Sequence, residues 1–170
     1  MRIGVIADTH GLLEARVLQV FQGVEAILHA GDVGTAEVLE ELSALAPVTA
    51  VLGNNDGFPL AHRLRDVEVA DLGGVRFLIL HQVGKPQNPD EEVRRLVLLH
   101  RPAVVVFGHT HAPFDQVQEG VRFFNPGGSG PRRFGLPRTV ALLEVSPSGV
   151  AARFVDLDAT SPDPRERSLA

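Results

Sequence analysis

No cysteine occurs in the 170 residues, so disulfides and thiolate chemistry are excluded, and any metal must be held by His, Asp, Glu or Asn. Lysine is nearly as scarce: Lys85 is the only one, and the remaining cationic residues are arginines. With 16 basic against 21 acidic residues the formal net charge is -5, which argues against the broad electropositive face that duplex nucleic acid requires. Bulk nucleic acid is therefore not an expected partner. Long apolar runs are missing too: none approaches the roughly 18 residues of a membrane span. The short stretch from Met1-Arg2 to Asp8 is too brief for a signal peptide. The expectation is a cytoplasmic chain without a membrane partner, with self-association left open.

Apolar side chains make up 44% of the sequence, enough at this length for one domain that buries about two thirds of its unfolded surface. That domain is expected over 1–158. Residues 159–170 are polar, contain Pro162 and Pro164, and are expected to form a mobile tail. The run 3–7 reads as a buried strand, followed by helical spacing at Leu13, Val17, Val20 and Phe21. A strand at 25–30, helical spacing at Val38, Leu42 and Leu45, and a strand at 48–52 continue a β-α-β-α-β rhythm, which right-handed crossovers make parallel. Hairpins follow at 67–72 with 75–80, at 115–119 with 121–124 and at 139–145 with 150–157. A helix over 90–101 and an apolar strand at 103–107 complete the pattern. Two mixed sheets flanked by helices, an α/β fold layered as an αββα sandwich, accommodate both halves.

Polar clusters adjoin these strands: Asp8-Thr9-His10, Gly31-Asp32, Gly53-Asn54-Asn55-Asp56, His81, and Gly108-His109-Thr110-His111. An Asp-x-His alone is weak, because such a pair also caps turns. Gly-His-x-His is rarer, with about 0.03 occurrences expected by chance. The combination carries the argument, since residues this far apart in sequence meet only if the strand ends share one edge. Two divalent cations need roughly seven protein ligands with one bridging carboxylate. Asp8, His10, Asp32, Asn54, His81, His109 and His111 supply that number and mix. Carboxylate, carboxamide and imidazole suit transition metals better than Mg or Ca. Manganese is the first expectation, with nickel, iron, cobalt and zinc as alternatives.

The ordered blocks D-x-H, G-D, G-N-x-D, H and G-H-x-H, from Arg2 to about Asn125, resemble the calcineurin-like metallophosphoesterases, and in particular their small single-domain bacterial and archaeal phosphodiesterases. The small fold is similar to that of the vacuolar sorting scaffold Vps29 as well. The resemblance implies that Asp8, His10 and His111 hold one metal, that Asn54, His81 and His109 hold the other, and that Asp32 bridges. It implies Asp32, Asn54 and His109 as catalytic residues. The implied reaction is in-line attack on a small phosphoester by a metal-bridging hydroxide, with a phosphodiester favoured over a monoester. A scaffold with little catalysis is the alternative.

Two departures bear on chemistry. Asn55 follows the Asn of the third block, where many relatives carry a histidine taken to protonate the leaving group, and a carboxamide cannot act as a general acid. Gln82 follows His81 where glycine is frequent, adding a Cβ where close backbone approach is usual. Asn55, Asn125 and Arg133 are the expected substrate contacts; Asn125 opens the Asn125-Pro126-Gly127-Gly128-Ser129 loop, and Arg132, Arg133 and Arg138 follow it. His29 is expected to pack beneath the site, and Asp56 to make a loop hydrogen bond.

Overall fold

The computed structural model describes residues 1–159, so all of the expected tail except Ala159 lies outside the described residues. The first sheet holds β1 (Arg2–Ile6), β2 (Ala26–His29), β3 (Val48–Ala50), β11 (Thr139–Ser146) and β12 (Gly149–Asp156), in the order β12-β11-β1-β2-β3. Strands β1, β2 and β3 run parallel, and β11 and β12 add an antiparallel flank. The second sheet holds β4 (Val67–Leu72), β5 (Val75–Leu80), β8 (Val104–Val106), β9 (Phe114–Gln118) and β10 (Val121–Asn125), in the order β4-β5-β8-β10-β9. Here β5, β8 and β10 are parallel, and the two outer strands are antiparallel hairpin partners. A two-stranded ribbon, β6 (Gly84–Lys85) with β7 (Asn88–Pro89), had no periodicity to reveal it.

The layers follow from strand alternation. Ile3, Val5, Leu28, Phe77, Ile79, Val104, Val106, Phe124 and Leu143 form a continuous core between the sheets. The opposite face of the first sheet packs Ile6, Ile27, Val140 and Leu142 against Val17 and Phe21 from α1 (Ala15–Val20) and its C-cap, and against Val38 and Leu42 from α2 (Ala36–Ser43). The opposite face of the second packs Leu78, Leu80 and Val105 against Val93 of α3 (Glu91–His100). The three valines of β8 are all buried because this central strand is covered on both faces, which is why its sequence shows no polar alternation. Gly4 has a packing reason: a Cβ there would lie 3.0 Å from the Phe21 ring.

The αββα expectation is met, with shifted boundaries. Helix α1 is only six residues long, so Leu13 precedes it, and Leu45 falls beyond α2 in a turn whose amide bonds back to Leu42. Among the described residues no helix is long and apolar enough to cross a membrane.

Candidate functional site

Each residue of the expected ligand set lies just past the C-terminal end of a parallel strand, and the backbone ties these ends together. The Asp8 amide donates to the Gly31 carbonyl at 3.0 Å, the His10 amide to Asp32 at 2.9 Å, and the Gly108 amide to His81 at 3.1 Å. Five of the residues turn the chain in the left-handed region: Asp8 (φ 55°), His10 (48°), Asp32 (52°), His109 (68°) and His111 (57°). Asp and His enter that region more readily than most side chains, though still at a cost of about 1 kcal/mol or more each. Gly31 (φ 85°) makes a second close approach possible, since a Cβ on it would sit 2.6 Å from His81 Nδ1.

The donor atoms converge at two corners. At one, His10 Nε2 faces His111 Nε2 at 3.3 Å, and His111 Nε2 lies 3.5 Å from Asp8 Oδ1. At the other, Asn54 Oδ1 lies 3.1 Å from His81 Nε2 and 3.0 Å from His109 Nδ1. Between them, Asp32 Oδ2 is 3.7 Å from His10 Nε2 and 3.4 Å from His81 Nε2. Asp8, His10 and His111 could hold one ion, and so could Asp8, Asp32 and His81. Asp8 therefore reaches both groups. Spacings near 3 Å between donors are those of neighbouring ligands on a cation with bonds of about 2.1 Å.

The donors fit such an occupant. Asp8, Asp32, His81 and His111 are buried, and charges in that setting require pairing or a metal. Two imidazole nitrogens facing each other at 3.3 Å share at most one proton between their lone pairs, which a cation would satisfy. His81 points Nδ1 at the Ala30 carbonyl at 2.8 Å, which fixes a proton on Nδ1 and turns Nε2 toward Asp32, where a metal would replace the proton between them.

Burial pushes the Asp8 carboxyl up to about 7, aided by the Asp32 charge and opposed by His81 and the His109 amide. Burial acts in the same direction on Asp32, but hydrogen bonds from His81 and Asn55 outweigh it and hold that carboxyl well below the usual range. His81 is raised: its burial is more than offset by Asp32 and the Ala30 carbonyl. Burial, with His10 and Arg133 nearby, pushes His111 down to about 4; it also lowers His10 and His109. Ionised Asp32 and the lowered His10, His109 and His111 are in the protonation state a metal requires, whereas Asp8 and His81 would each give up a proton to bind one.

The supporting residues behave as their chemistry suggests. His29 is fully buried, with Nε2 2.9 Å from Thr9 Oγ1; burial pushes it down to about 3. Thr9 donates its hydroxyl proton to the Val33 carbonyl at 2.8 Å, so His29 must donate to Thr9. Asp56 accepts the amides of Val33, Gly34 and Gly53 and makes the loop bond expected of it.

One expected substrate contact is corrected, and a second has a structural bond of its own. Asn125 is completely buried, donating to the Gly108 carbonyl and Thr110 Oγ1 and accepting the Gly127 amide, so it shapes the loop and does not meet a ligand. Asn55, which is exposed, directs one Nδ2 proton to Asp32 Oδ2 at 2.7 Å, while its backbone amide holds Oδ1 at 2.8 Å. Arg132 and Arg138 both pair with Asp158, and Arg138 also with Glu14. Among the described residues Arg133 has no such carboxylate partner, and its charge is felt by Asp8, His10 and His111. Gln82, expected to crowd the backbone beside His81, donates Nε2 to Asn54 Oδ1 at 2.7 Å. Phe134, which no spaced motif marks, sets its ring perpendicular to that of His111, with centroids 5.7 Å apart.

Residues 1–148 match the calcineurin-like phosphoesterase superfamily domain. A probable metallophosphoesterase of Methanothermobacter thermautotrophicus is 35% identical over 151 residues, covering 84% of this chain and 85% of its own. A phosphodiesterase of Methanocaldococcus jannaschii is 29% identical, covering 85% of this chain and 93% of its own. Among solved structures, Vps29 of Entamoeba histolytica in complex with Zn2+ superposes with a TM-score of 0.68 at 22% identity, covering 92% of this chain and 99% of its own, a likeness of fold. With the domain match spanning most of the chain and its strand-end donors in place, this protein belongs to the calcineurin-like phosphoesterase superfamily.

Proposed function

We propose that the chain is a dinuclear metal-dependent phosphoric ester hydrolase acting on small phosphodiesters. The observation that carries the reading is the position of Asp32 Oδ2, within 3.7 Å of a histidine from each corner, where one carboxylate can serve two ions. In this reading Asp8, His10 and His111 hold one cation and Asn54, His81 and His109 the other, with manganese the first choice. The bound cations supply Lewis acidity to the phosphoryl oxygens and make water acidic enough to attack near neutral pH.

The chain's own residues position and discriminate. Asn54 and His109 are the exposed members of the set, so the ester docks against them. Arg133 is free to offer two parallel N–H donors to a phosphoryl oxygen pair. Two features favour a diester. Arg133 and Phe134 flank one side of the cluster, while on the other a cleft of about 480 Å³ adjoins Asn54, His81 and Gln82 and is lined by apolar Leu52, Val67 and Leu96 and by acidic Asp66, Asp90 and Glu92. A diester has a substituent for each side. The M. jannaschii relative named a phosphodiesterase agrees with this preference. Asn55, a carboxamide turned toward Asp32, does not protonate the leaving oxygen.

The scaffold reading draws on Leu98 and Leu99, which are exposed on α3 at 76% and 73%. That face does not account for the converging donors, which scaffolding does not require. The test is elemental analysis of protein stripped of metal and then saturated with Mn, Ni, Zn or Mg, paired with hydrolysis of mono- and diesters. Two ions per chain are expected, with Asp32→Ala losing both. A stoichiometry that stays at one after saturation overturns the dinuclear assignment, and an inert, fully loaded protein overturns the hydrolase reading.

A further inference from the structure

The connection from β10 to β11 carries an aromatic ring whose position its own fold does not explain. Phe134 is 79% exposed, an unusual placement for a large apolar side chain that packs against no core cluster. Its backbone is left-handed (φ 55°), which is a genuine outlier for a bulky residue and persists only where the surroundings impose it. The surroundings do so from both ends. Upstream, the Ser129 amide and hydroxyl donate to the Ala7 carbonyl and the Gly130 amide donates to Asp8, seating the loop on the end of β1. Gly130 permits this contact, since a Cβ would lie 2.1 Å from the Thr9 carbonyl. Arg132 just before the ring and Arg138 beyond it are both pinned to Asp158, and the Leu136 amide closes a turn onto Arg133.

These contacts place Phe134 against His111, and Arg133 beside it, at the His10/His111 corner. The Phe134 and His111 rings are perpendicular, at an interplanar angle of 85°. A perpendicular contact covers at most one face of either ring, and at this exposure Phe134 keeps an aromatic face open; beside a guanidinium with no carboxylate partner among the described residues, that face matches a phosphate ester whose alcohol component is itself a flat ring.

We propose that Phe134 is a specificity-determining residue that stacks on an aromatic substituent of the phosphoester while Arg133 holds the phosphate, so that the site selects esters of ring-bearing alcohols, aryl or nucleoside, over alkyl esters. The proposal rests on the phosphoesterase reading and narrows its substrate class. Stacking of a ring on an aromatic side chain is worth about tenfold or more in affinity.

The test uses the full-length protein loaded with Mn and three probes that share a phosphate and differ in one substituent: methyl phosphate, phenyl phosphate and thymidine 5′-phosphate. Calorimetric Kd values are measured for wild type, Phe134→Leu and Phe134→Tyr, alongside Mn stoichiometry and hydrolysis of an aryl diester. Wild type should bind at least one ring-bearing probe about tenfold more tightly than methyl phosphate. Phe134→Leu should erase that margin while leaving methyl phosphate and Mn uptake unchanged, and Phe134→Tyr should retain it. A gain confined to phenyl phosphate identifies aryl esters as the class; a gain confined to, or larger for, the nucleotide identifies nucleosides. Equal affinity for all three probes in a protein that binds methyl phosphate and turns over diester overturns the proposal alone. So does a Phe134→Leu variant that loses Mn or weakens every probe equally, because the ring is then a support for His111. A wild type that neither binds any probe nor hydrolyses the diester overturns both readings together.

Discussion

Asn55 shows how one side chain can replace a catalytic option with a structural one. Its amide and Nδ2 bond the two oxygens of Asp32, the carboxylate that lies between the two corners. Partners of this kind, one bond removed from a metal, typically govern affinity by about 10–100-fold. Asn55→Ala, which keeps the backbone bond and loses the side-chain one, should weaken Mn binding by about that factor in a calorimetric titration while leaving the fold intact. An unchanged affinity would show the Nδ2 contact to be incidental. Asn55→His should not supply the missing acid, because Asp56, the group that would orient the new imidazole, is committed to three backbone amides. At this scale the sequence disclosed which side chains converge, since carboxylates, imidazoles and a carboxamide beside strand ends have few other uses. It misplaced Asn125 because a polar residue in a Gly-Pro loop reads the same whether it faces a ligand or satisfies its own turn. Phe134 was invisible, being one phenylalanine among nine with no spacing to mark it.

The strand end followed by a left-handed residue is the element that builds the site. It reverses the chain so that Asp8, Asp32 and His109 aim across the edge of the sheets. Gly31 is where this device meets the other sheet, lying under the His81 ring and next to the carbonyl that fixes its tautomer. Gly31→Ala combines an unfavourable φ with a 2.6 Å clash, so it should destabilise the metal-free protein by about 1–3 kcal/mol and displace His81. Urea unfolding in the presence of chelator measures the first effect and Mn affinity the second. Normal Mn binding in a folded variant would mean that the ring does not depend on this contact. The order and type of the main elements were legible because both faces of the sheets are buried, which writes strong apolar periodicity into the chain. Their ends were less so. α1 and α2 stop short of Leu13 and Leu45, which still pack on the same core from flanking turns. The β6–β7 ribbon has two-residue strands, too short for any period to register.

For the whole molecule, burying this many titratable groups at one edge makes stability a function of pH with opposing limbs. The folded Asp8 carboxyl, near 7, lies above its unfolded value of about 4, so its contribution is full below pH 4 and is lost as pH rises through 7. His111, near 4, and His29, near 3, shift the other way: the unfolded chain takes up their protons at about 6.5, so stability is lost as pH falls below that. The lowered His10 and His109 act in the same sense. At pH 5 the unfolded chain therefore carries at least the protons of His29 and His111 that the folded protein lacks, against the single proton on folded Asp8, and stability climbs with pH. Near pH 7 the unfolded histidines have released most of their protons while Asp8 and the raised His81 still hold theirs in the fold, so stability declines. The metal-free protein should thus be most stable at about pH 6. A cation at the cluster requires ionised Asp8 and neutral imidazoles, which removes the alkaline limb. The rise in Tm on adding Mn should accordingly widen from pH 6 to pH 8, as read from thermal unfolding in chelator and in excess Mn. A melting temperature in chelator that climbs steadily to pH 8 would mean that Asp8 is already ionised in the metal-free fold, with its charge balanced by His81 and the His109 amide alone.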